Sequence, residues 1–225
     1  MSKKAVCIMS GGMDSTLAAY MLRSQGYGIV AVHFNYDQRT VRKELSCFRK
    51  ITAALGVEKT YEIDLDFFAA IGASALTDRS IEVPTGGIEA GVPVTYVPFR
   101  NGIFLSIAAA VAEKEGACVI GIGVVEEDSS GYPDCREAYI EAMQRAINLG
   151  TRDETDITVA MPLVHLKKEQ IVAEAVKYGV PLELTWSCYQ SEEAACGVCD
   201  SCRLRLKGFE LAGADDPIPY APELK

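Results

Sequence analysis

A loop of small and hydroxylated residues near the N-terminus has the composition of a phosphate-binding site. The segment Ser10–Ser15, with the sequence SGGMDS, follows a short apolar run and precedes a helical pattern. Glycine lets backbone N–H groups approach phosphate oxygens, and the N-terminus of the following helix adds donors and a positive dipole end. Asp14 can cap backbone N–H groups or hold Mg²⁺ beside a pyrophosphate. The loop therefore predicts a nucleotide ligand.

Two common nucleotide-binding loops do not match this segment. A Walker A loop needs a lysine directly before its Ser or Thr, and a dinucleotide fingerprint needs three spaced glycines; the segment has neither. An ordinary tight turn remains an alternative. The string resembles the PP-loop of the N-type ATP pyrophosphatases, which split ATP between its α and β phosphates. That resemblance implies ATP contacts by Met9, Ser10, Gly11, Gly12, Met13, Asp14, Ser15 and Thr16.

Four of the eight cysteines lie close together near the C-terminus. Cys196, Cys199 and Cys202 form two C-x-x-C steps, and Cys188 precedes them. Four thiolates at this spacing predict a closed tetrahedral Zn²⁺ site, which is structural because no coordination position is left for a substrate. An iron–sulfur cluster is the main alternative, since four cysteines also suit it. Free buried cysteines are a second alternative.

Two further segments offer polar side chains near predicted helix starts. Arg100 beside a helix N-terminus can form a second anion site, whereas Asn101 also fits a helix N-cap. In a turn-rich segment, Tyr132 can stack on a flat ring, Asp134 can accept hydrogen bonds from a guanine-like edge, and Arg136 can pair with a carboxylate. A solvated turn explains the same segment. We expect the substrate contacts to come from these five residues.

A lysine late in the chain is the second candidate catalytic residue. Lys168 lies at the start of the helical run KKEQIV. A solvated helix start is the default interpretation, but a lysine at the edge of a sheet can also neutralise a leaving pyrophosphate. We therefore predict that Asp14 and Lys168 are catalytic.

The elements that must position these residues alternate between short apolar strands and helices. The strand candidates are Ala5–Met9, Ile29–Phe34, Thr60–Leu65, Cys118–Gly123 and Thr158–Met161. The helix candidates are Ser15–Ser24, Val41–Leu55, Asn101–Glu115, Arg136–Asn148, Lys167–Tyr178 and Cys202–Leu211. The alternation predicts an α/β fold with a doubly wound parallel sheet of the Rossmann-like type. In such sheets ligands bind beyond the carboxyl ends of the strands, where the winding reverses.

The pattern also predicts how the chain is divided. We expect a PP-loop ATP-binding domain over residues 1–184 and a small zinc-binding helical appendage over residues 185–225, packed on the same domain. Residues 66–98 and 124–135 interrupt the alternation of strands and helices, and loops this long in a compact domain are usually functional. We expect both to reach over the carboxyl edge of the sheet as a lid. The proline-containing tail from Asp215 should be extended and mobile.

Charge and hydropathy narrow the class of partner. The net charge is −9, from 22 Lys and Arg against 31 Asp and Glu. Proteins that grip a polynucleotide normally present a basic surface, so we expect small-molecule substrates and no nucleic-acid partner. No apolar run approaches the roughly 20 residues that span a bilayer, and the N-terminal apolar stretch is too short for a signal peptide. We therefore expect a cytoplasmic protein without a membrane partner.

The chain as a whole resembles the 7-cyano-7-deazaguanine synthase family, the nitrile-forming enzymes of queuosine precursor synthesis. The resemblance runs from Val6 to about Phe209, and TWSCYQ with the cysteine cluster is its most specific part. The strings that carry it are, in order, SGGMDST, AVHFNYDQR, VPFRN, DSSGYPDCR, HLKKEQIV, TWSCYQ and CGVCDSCRLR. The chain departs from the family pattern at Asp37 and Phe99, where the family has glycine, and at Gln170, where it has an acid.

The resemblance implies a sheet of the adenine nucleotide alpha hydrolase type and an ATP-dependent carbon–nitrogen ligase. Its substrates would be ATP, 7-carboxy-7-deazaguanine and ammonia, and the product nitrile would form through adenylated acid and amide intermediates. It implies Mg²⁺ with ATP and one structural Zn²⁺ per chain on the four clustered cysteines, and it matches Lys168 to a lysine of the family. Family members are commonly dimeric, so it also implies a homodimer, although the sequence itself does not fix the oligomeric state.

Two other functions fit parts of the sequence. A PP-loop enzyme that modifies tRNA, such as a thiolase, predicts a basic face and usually an added RNA-binding domain. A nucleotide-binding regulator with a related sheet would bind ATP without substrate-dependent turnover, and it would not need four clustered cysteines.

Overall fold

The computed structural model describes residues 3–87, 91–126 and 131–222, and its centre is a five-stranded sheet. The strands are β1 (Lys4–Ile8), β2 (Gly28–Asn35), β3 (Lys59–Asp64), β4 (Val119–Gly121) and β5 (Thr158–Ala160). Their order is β3-β2-β1-β4-β5, and every neighbouring pair is parallel. The winding therefore reverses between β1 and β4. This order confirms the predicted doubly wound α/β fold.

Helices cover both faces of the sheet. They are α1 (Met13–Ser24), α2 (Val41–Leu55), α3 (Phe67–Ile71), α4 (Arg100–Glu115), α5 (Glu137–Gly150), α6 (Lys168–Lys177) and α7 (Asp200–Ala212). Short 3₁₀ turns cover Pro133–Cys135 and Leu182–Leu184. The bounds of α2 match the prediction, and the other predicted helices differ at their ends by one or two residues. The sequence did not predict α3, because five residues are too few to show a helical period.

The core explains why the central strands have nearly continuous apolar sequences. In β1, Val6 and Ile8 pack with α4 on one face, while Ala5 and Cys7 pack with α2 on the other. Strands buried on both faces need apolar side chains in both directions. A third apolar cluster joins α1 to α6 and α7. Within the described part of the chain, no helix has the length and apolar composition to cross a membrane.

The C-terminal tail is extended, as expected, but it is held against the rest of the molecule. Ala195 N donates to Pro219 O at 2.8 Å, and Ala221 N donates to Ala195 O at 2.9 Å. The Asp216 carboxylate pairs with Arg205, which is 1% exposed. The expected mobility therefore does not fit the tail up to residue 222, because two backbone hydrogen bonds and a buried ion pair fix it in place.

Candidate active site

The loop between β1 and α1 is organised by its own hydroxyl groups. Gly12 N donates to Ser10 Oγ at 3.2 Å, and Ser10 N donates to Ser15 Oγ at 3.2 Å. The hydroxyls of Ser15 and Thr16 both donate to Gly12 O, at 3.2 and 2.7 Å. These hydrogen bonds hold the loop in one conformation without a ligand, so ligand binding needs to order little of its backbone.

Two glycines let neighbouring segments press against this loop. Gly11 has a φ of +87°, and a Cβ there would lie 2.6 Å from Glu44 O in the first turn of α2. Gly123 follows β4, and a Cβ there would lie 2.6 Å from Ser15 N. Side chains at either position would push α2 or the β4 segment away from the loop. The two glycines therefore allow α2 and the segment after β4 to pack against the loop at the point where the winding of the sheet reverses.

A cavity of about 290 Å³ opens at the carboxyl ends of β1 and β4. Most of the predicted site residues line it: Met9, Ser10, Gly12, Met13, Asp14, Ser15, Arg100, Asn101, Tyr132 and Lys168. Gly11, Thr16, Asp134 and Arg136 do not line it. The predicted lid loops contribute Leu76, Val124, Val125, Tyr132 and Cys135 to the wall. Residues 88–90 and 127–130 of those loops lie outside the described residues.

The two candidate catalytic residues form an ion pair in this cavity. Lys168 Nζ lies 2.8 Å from Asp14 Oδ2, and both side chains are more than two-thirds buried. The other carboxylate oxygen, Asp14 Oδ1, is buried without a hydrogen-bond partner among the described residues. Gly208 of α7 lies against the lysine, since a Cβ there would be 2.4 Å from Lys168 Cγ. The helix that follows the cysteine cluster thus positions the stem of Lys168.

Arg100 offers an unpaired positive charge in the same cavity. Its Nη1 donates to Tyr36 Oη at 2.9 Å, and its guanidinium lies 5.3 and 5.8 Å from the ring centres of Tyr36 and Phe104. Arg100 Nε is buried without a partner, and no carboxylate of the described residues lies within 4.0 Å of the guanidinium. A charged guanidinium with a free donor suits an anionic ligand group.

Asp134 and Asn101, two other residues predicted to contact the substrate, hydrogen-bond to each other at the start of α4. Asp134 is 4% exposed, and its Oδ2 accepts a hydrogen bond from Asn101 N at 2.9 Å. Asn101 Nδ2 donates to Asp134 O and to Cys135 Sγ, at 3.2 and 3.3 Å. The N-cap of α4 is Phe99, so Asn101 lies inside the helix and Asp134 caps it from a distant segment. Arg136 is exposed at the start of α5.

Cys135 lines the cavity but is a poor nucleophile. Burial raises the pKa of its thiol to about 12, with the nearby Asp134 carboxylate acting in the same direction. The thiol is therefore protonated at neutral pH, and the thiolate is the nucleophilic form. Its visible role is to accept the hydrogen bond from Asn101.

The two departures from the family pattern lie in a strained backbone region. Asp37 and Phe99 have φ values of 59° and 56°, the left-handed region that favours glycine. The Phe99 ring meets Tyr139 edge-on at 5.9 Å, and a Cβ on Gly102 would lie 2.4 Å from the Phe99 ring. The backbone thus keeps the conformation that glycine would adopt, and Gly102 makes room for the larger side chain.

Several cavity residues were not predicted from the sequence. Tyr36, Gln38, Thr40 and Glu44 come from the segment after β2, and Trp186, Ser187, Tyr189 and Arg205 come from the C-terminal segment. The first group follows the carboxyl end of a strand beside β1, so the rule for ligand sites in parallel sheets could have found it. The second group carries no comparable signal, because only tertiary packing brings it to the sheet.

The C-terminal segment contacts the phosphate loop directly. Trp186 N donates to Gly11 O at 2.9 Å, and a Cβ on Gly12 would lie 3.3 Å from Trp186 O. Thr40 Oγ1 lies 3.4 Å from Cys188 O, and Lys43 Nζ lies 4.3 Å from the centre of the Trp186 ring. The cysteine cluster is therefore joined to the wall of the cavity by a few residues of chain.

The four clustered cysteines can hold a metal ion. The Sγ atoms of Cys188, Cys196, Cys199 and Cys202 all lie within 4.8 Å of one another. Backbone N–H groups of Gln190, Ser191 and Cys196 point at Cys188 Sγ, each at 3.4 Å. Hydrogen bonds from the Cys199 and Cys202 thiols, followed by those from the backbone N–H groups of Cys196 and Gln190, lower the pKa of Cys188. Thiolates are the form that binds metal ions.

Similar solved structures establish the fold type. A 4-thiouridine synthetase, solved in complex with RNA and bound ATP, matches with a TM-score of 0.53 and 20% identity, covering 94% of this chain and 50% of that one. At this identity the likeness concerns the fold alone. It agrees with the predicted Rossmann-like, doubly wound type of sheet.

Similar sequences identify the family. A protein from Sulfurovum sp. (strain NBC37-1), named 7-cyano-7-deazaguanine synthase, is 72% identical over 98% of this chain and 99% of its own length. A protein of the same name from Sulfurimonas denitrificans is 69% identical over 97% of this chain and 98% of its own length. These relatives favour the nitrile-forming function over the tRNA-modifying alternative. Residues 4–213 also match the model of queuosine biosynthesis protein QueC, and the chain belongs to that family.

Proposed function

We propose that this protein is an ATP-dependent carbon–nitrogen ligase that converts 7-carboxy-7-deazaguanine and ammonia to 7-cyano-7-deazaguanine. The observation that carries the proposal is one cavity with two sites for negative charge. The phosphate loop and Lys168 lie on one side, and the unpaired Arg100 guanidinium lies on another. An enzyme that joins ATP to a carboxylate needs both.

The chemistry requires two activations. A carboxylate oxygen attacks the α-phosphorus of ATP, pyrophosphate leaves, and an acyl-adenylate forms. Ammonia displaces AMP with loss of a proton and gives the amide. The amide oxygen then attacks the α-phosphorus of a second ATP, and pyrophosphate leaves again. The adenylated amide loses two protons and expels AMP, which gives the nitrile. A half-closed cavity supports this sequence because acyl-adenylates are hydrolysed by water.

The residues of the chain have separate tasks in this scheme. The loop from Ser10 to Ser15 binds phosphate oxygens through backbone N–H groups at the start of α1. Lys168 stabilises the charge that develops on the leaving pyrophosphate, and Arg100 orients the substrate carboxylate toward the α-phosphorus. The Tyr132 ring, 7% exposed, provides a flat wall.

Asp14 fits a role as ligand of Mg²⁺. Its buried Oδ1 has no partner among the described residues, while Oδ2 is held by Lys168. Carboxylate oxygens together with substrate phosphates are the usual ligands of Mg²⁺. When bound, the ion would neutralise phosphate charge during the transfer.

We propose zinc as the ion of the cysteine cluster, one per chain. Four sulfurs at the Zn–S distance of about 2.3 Å from one ion are about 3.8 Å apart in a tetrahedron. Cys196 Sγ and Cys202 Sγ lie 3.9 Å apart, which supports a single shared ion. A four-iron cluster puts a separate iron on each thiolate and needs a wider spacing. The cysteine-bearing segment from residue 185 then serves as a metal-stabilised appendage of the ATP-binding domain over residues 1–184.

The proposal also includes the partners of the protein and its place in the cell. The partners are the three small substrates and, as family resemblance suggests, a second copy of the chain; no nucleic acid or membrane takes part. The protein works in the cytoplasm, where the reducing conditions suit eight free cysteines.

A direct assay tests the function. The purified full-length chain, incubated with ATP, Mg²⁺, ammonium and 7-carboxy-7-deazaguanine, should release pyrophosphate and AMP and give a product with the mass of the nitrile. The 7-amide should serve as a second substrate without the first activation. Pyrophosphate release that depends on bulk tRNA and not on the carboxy base would contradict the proposal.

A variant of the phosphate site sharpens the assay. Asp14→Asn should lower kcat by about 10²–10³-fold, the usual cost of removing one electrostatic stabiliser of a transition state. Asp153→Asn, on an exposed turn far along the chain, is the matched control and should keep full activity. A folded Asp14→Asn variant with full activity would contradict the assignment of the loop.

Metal analysis tests the zinc assignment. The protein should carry about one zinc per chain and be colourless, since zinc has no visible absorption. Brown protein that contains iron would instead support a cluster.

A further inference from the structure

Among the described residues, six charged side chains line the cavity, and four of them are held by an ion pair or by backbone carbonyls. Lys168 and Asp14 form an ion pair at 2.8 Å, and Arg205 pairs with Asp216 at 2.7 Å. Arg39 donates to three backbone carbonyls, those of Ala75, Asp78 and Ile81, at 2.6, 3.2 and 2.6 Å. The two that remain are Arg100 and Glu44.

Glu44 has no cationic partner in the described ranges, and it does not pair with Arg100. No Lys, Arg or His nitrogen of residues 3–87, 91–126 or 131–222 lies within 4.0 Å of its carboxylate. Burial raises the pKa of Glu44, whereas the hydrogen bonds from Thr40 and Gln38 and the charge of Arg100 lower it. A half-buried carboxylate without an ion pair remains costly to keep ionised, and a ligand that donates hydrogen bonds to it would offset that cost.

The Glu44 carboxylate is held in one orientation. Thr40 Oγ1 donates to Oε1 at 2.6 Å, and Gln38 Nε2 donates to Oε2 at 3.0 Å. Each oxygen keeps further acceptor capacity, because an ionised carboxylate has about four lone-pair sites. The backbone below is also fixed, since Glu44 O lies against Gly11. The result is a rigid pair of acceptors that faces the cavity.

Resting on the function proposed above, we propose that Glu44 accepts hydrogen bonds from the N–H edge of the substrate base and so selects a guanine-like ring. The ring nitrogen and the 2-amino group of 7-deazaguanine are neighbouring donors, and a carboxylate accepts from both. Arg100 binds the substrate carboxylate, so the two unpaired charges of the cavity match the two polar ends of one flat molecule. This role had been expected of Asp134, whose carboxylate instead caps α4.

The test compares two bases in wild-type and Glu44→Gln proteins. The second base lacks the 2-amino group but keeps the 7-carboxylate. Wild-type protein should prefer the aminated base by about 10- to 100-fold in kcat/KM, the usual effect of a hydrogen bond to a charged group. Glu44→Gln should raise KM for the aminated base by a similar factor, should lose most of the preference, and should leave KM for ATP unchanged.

Two controls separate specificity from folding. Glu141→Gln, an exposed glutamate of α5, should match the wild type in every parameter. Glu44→Asp keeps the charge and should retain the preference with a weaker KM. Binding of each base can also be followed without turnover through the fluorescence of Trp186, the one tryptophan of the chain, which lines the cavity.

The possible failures are distinguishable. Wild-type protein that binds the carboxy base but forms no nitrile would overturn the proposed function. Active wild-type protein with an unchanged preference in Glu44→Gln would overturn the role of Glu44 alone. A Glu44→Gln variant that changes KM for ammonium and not for the base would also overturn it, and would assign the carboxylate to the nitrogen source.

Discussion

The substitution Asp216→Asn should strongly destabilise the protein, because it removes the only charge that compensates a buried arginine within the described residues. Asp216 Oδ2 accepts from Arg205 Nε at 2.7 Å, and Oδ1 accepts from Arg205 Nη2 at 2.9 Å. Tyr220 Oη also donates to Asp216 Oδ2 at 2.7 Å. An asparagine keeps the shape but turns an amide N–H₂ toward groups that are themselves donors.

The magnitude follows from the burial of the pair. The side chains of Arg205 and Asp216 are 2% and 4% exposed, so water cannot replace the lost partner. Breaking a buried pair by removing one member costs about 3–5 kcal/mol. For a chain of this size each kcal/mol shifts the unfolding midpoint by about 2–4 °C, so the expected loss is about 6–20 °C.

Thermal and urea denaturation measure the effect, and the chain offers a matched control. Arg49 and Glu62 also form a two-bond pair, at 2.8 and 2.6 Å, but their side chains are 60% and 33% exposed. Glu62→Gln should leave the midpoint nearly unchanged, because solvent screens such pairs. Limited proteolysis should cut the tail of Asp216→Asn faster than that of the wild type.

The reasoning is refuted if the two substitutions have similar effects. An Asp216→Asn protein that unfolds within about 1 kcal/mol of the wild type would mean that Arg205 finds water or another partner after the change. A large effect of Glu62→Gln would mean that burial does not set the strength of these pairs.

Three further substitutions test the phosphate loop, a surface pair and the cysteine cluster. Gly11→Ala should weaken ATP binding and lower stability more than Gly26→Ala, because Gly26 has a similar φ of +88° but no atom within 4 Å of the added Cβ. The left-handed backbone alone costs about 1–2 kcal/mol in either variant. Equal losses of stability in the two variants would contradict the close approach of α2. Hydrogen bonds from Lys59 and Tyr61 lower the pKa of Glu115 from 4.5 to about 2. A depressed pKa gives stability that is present above pH 4.5 and is lost as the pH falls toward 2, so the stability difference between wild type and Glu115→Gln should shrink over that interval, and denaturation curves with a pH-independent difference would contradict it. Cys199→Ser should release the metal and lower stability, whereas Cys118→Ser, outside the cluster, should keep the metal; retention of a full metal load in Cys199→Ser would remove that residue from the ligand set.

Some parts of the site could be predicted because their signals are local. The loop at Ser10–Ser15 lies where a strand ends and a helix begins, and both elements have clear periodicity over short windows. The cysteine spacing is also local, since three of the four clustered cysteines lie within seven residues of chain. Alternating strands and helices with right-handed crossovers leave few topologies to consider. The sequence therefore predicted the sheet type, the place of the cavity and the cysteine cluster.

Other parts depend on contacts between segments far apart in the chain. Asp134 has the chemistry of a base acceptor, but its carboxylate meets Asn101 N, 33 residues away, and caps α4. Glu44 looks like a solvated residue in the first turn of a helix, yet the approach of α2 to Gly11 brings it to the cavity. No local pattern distinguishes these two carboxylates.

The amino-acid sequence by itself determined the α/β class, the phosphate loop and the family resemblance, because each depends on residue types at short and fixed spacings. The tertiary structure decided which charged side chains neutralise one another and which remain free for a ligand. It paired Arg205 with Asp216 and Lys168 with Asp14, and left Arg100 and Glu44 facing the cavity. The physical reason is that electrostatic pairing and desolvation depend on distance and burial in space, which the order of residues along the chain does not give.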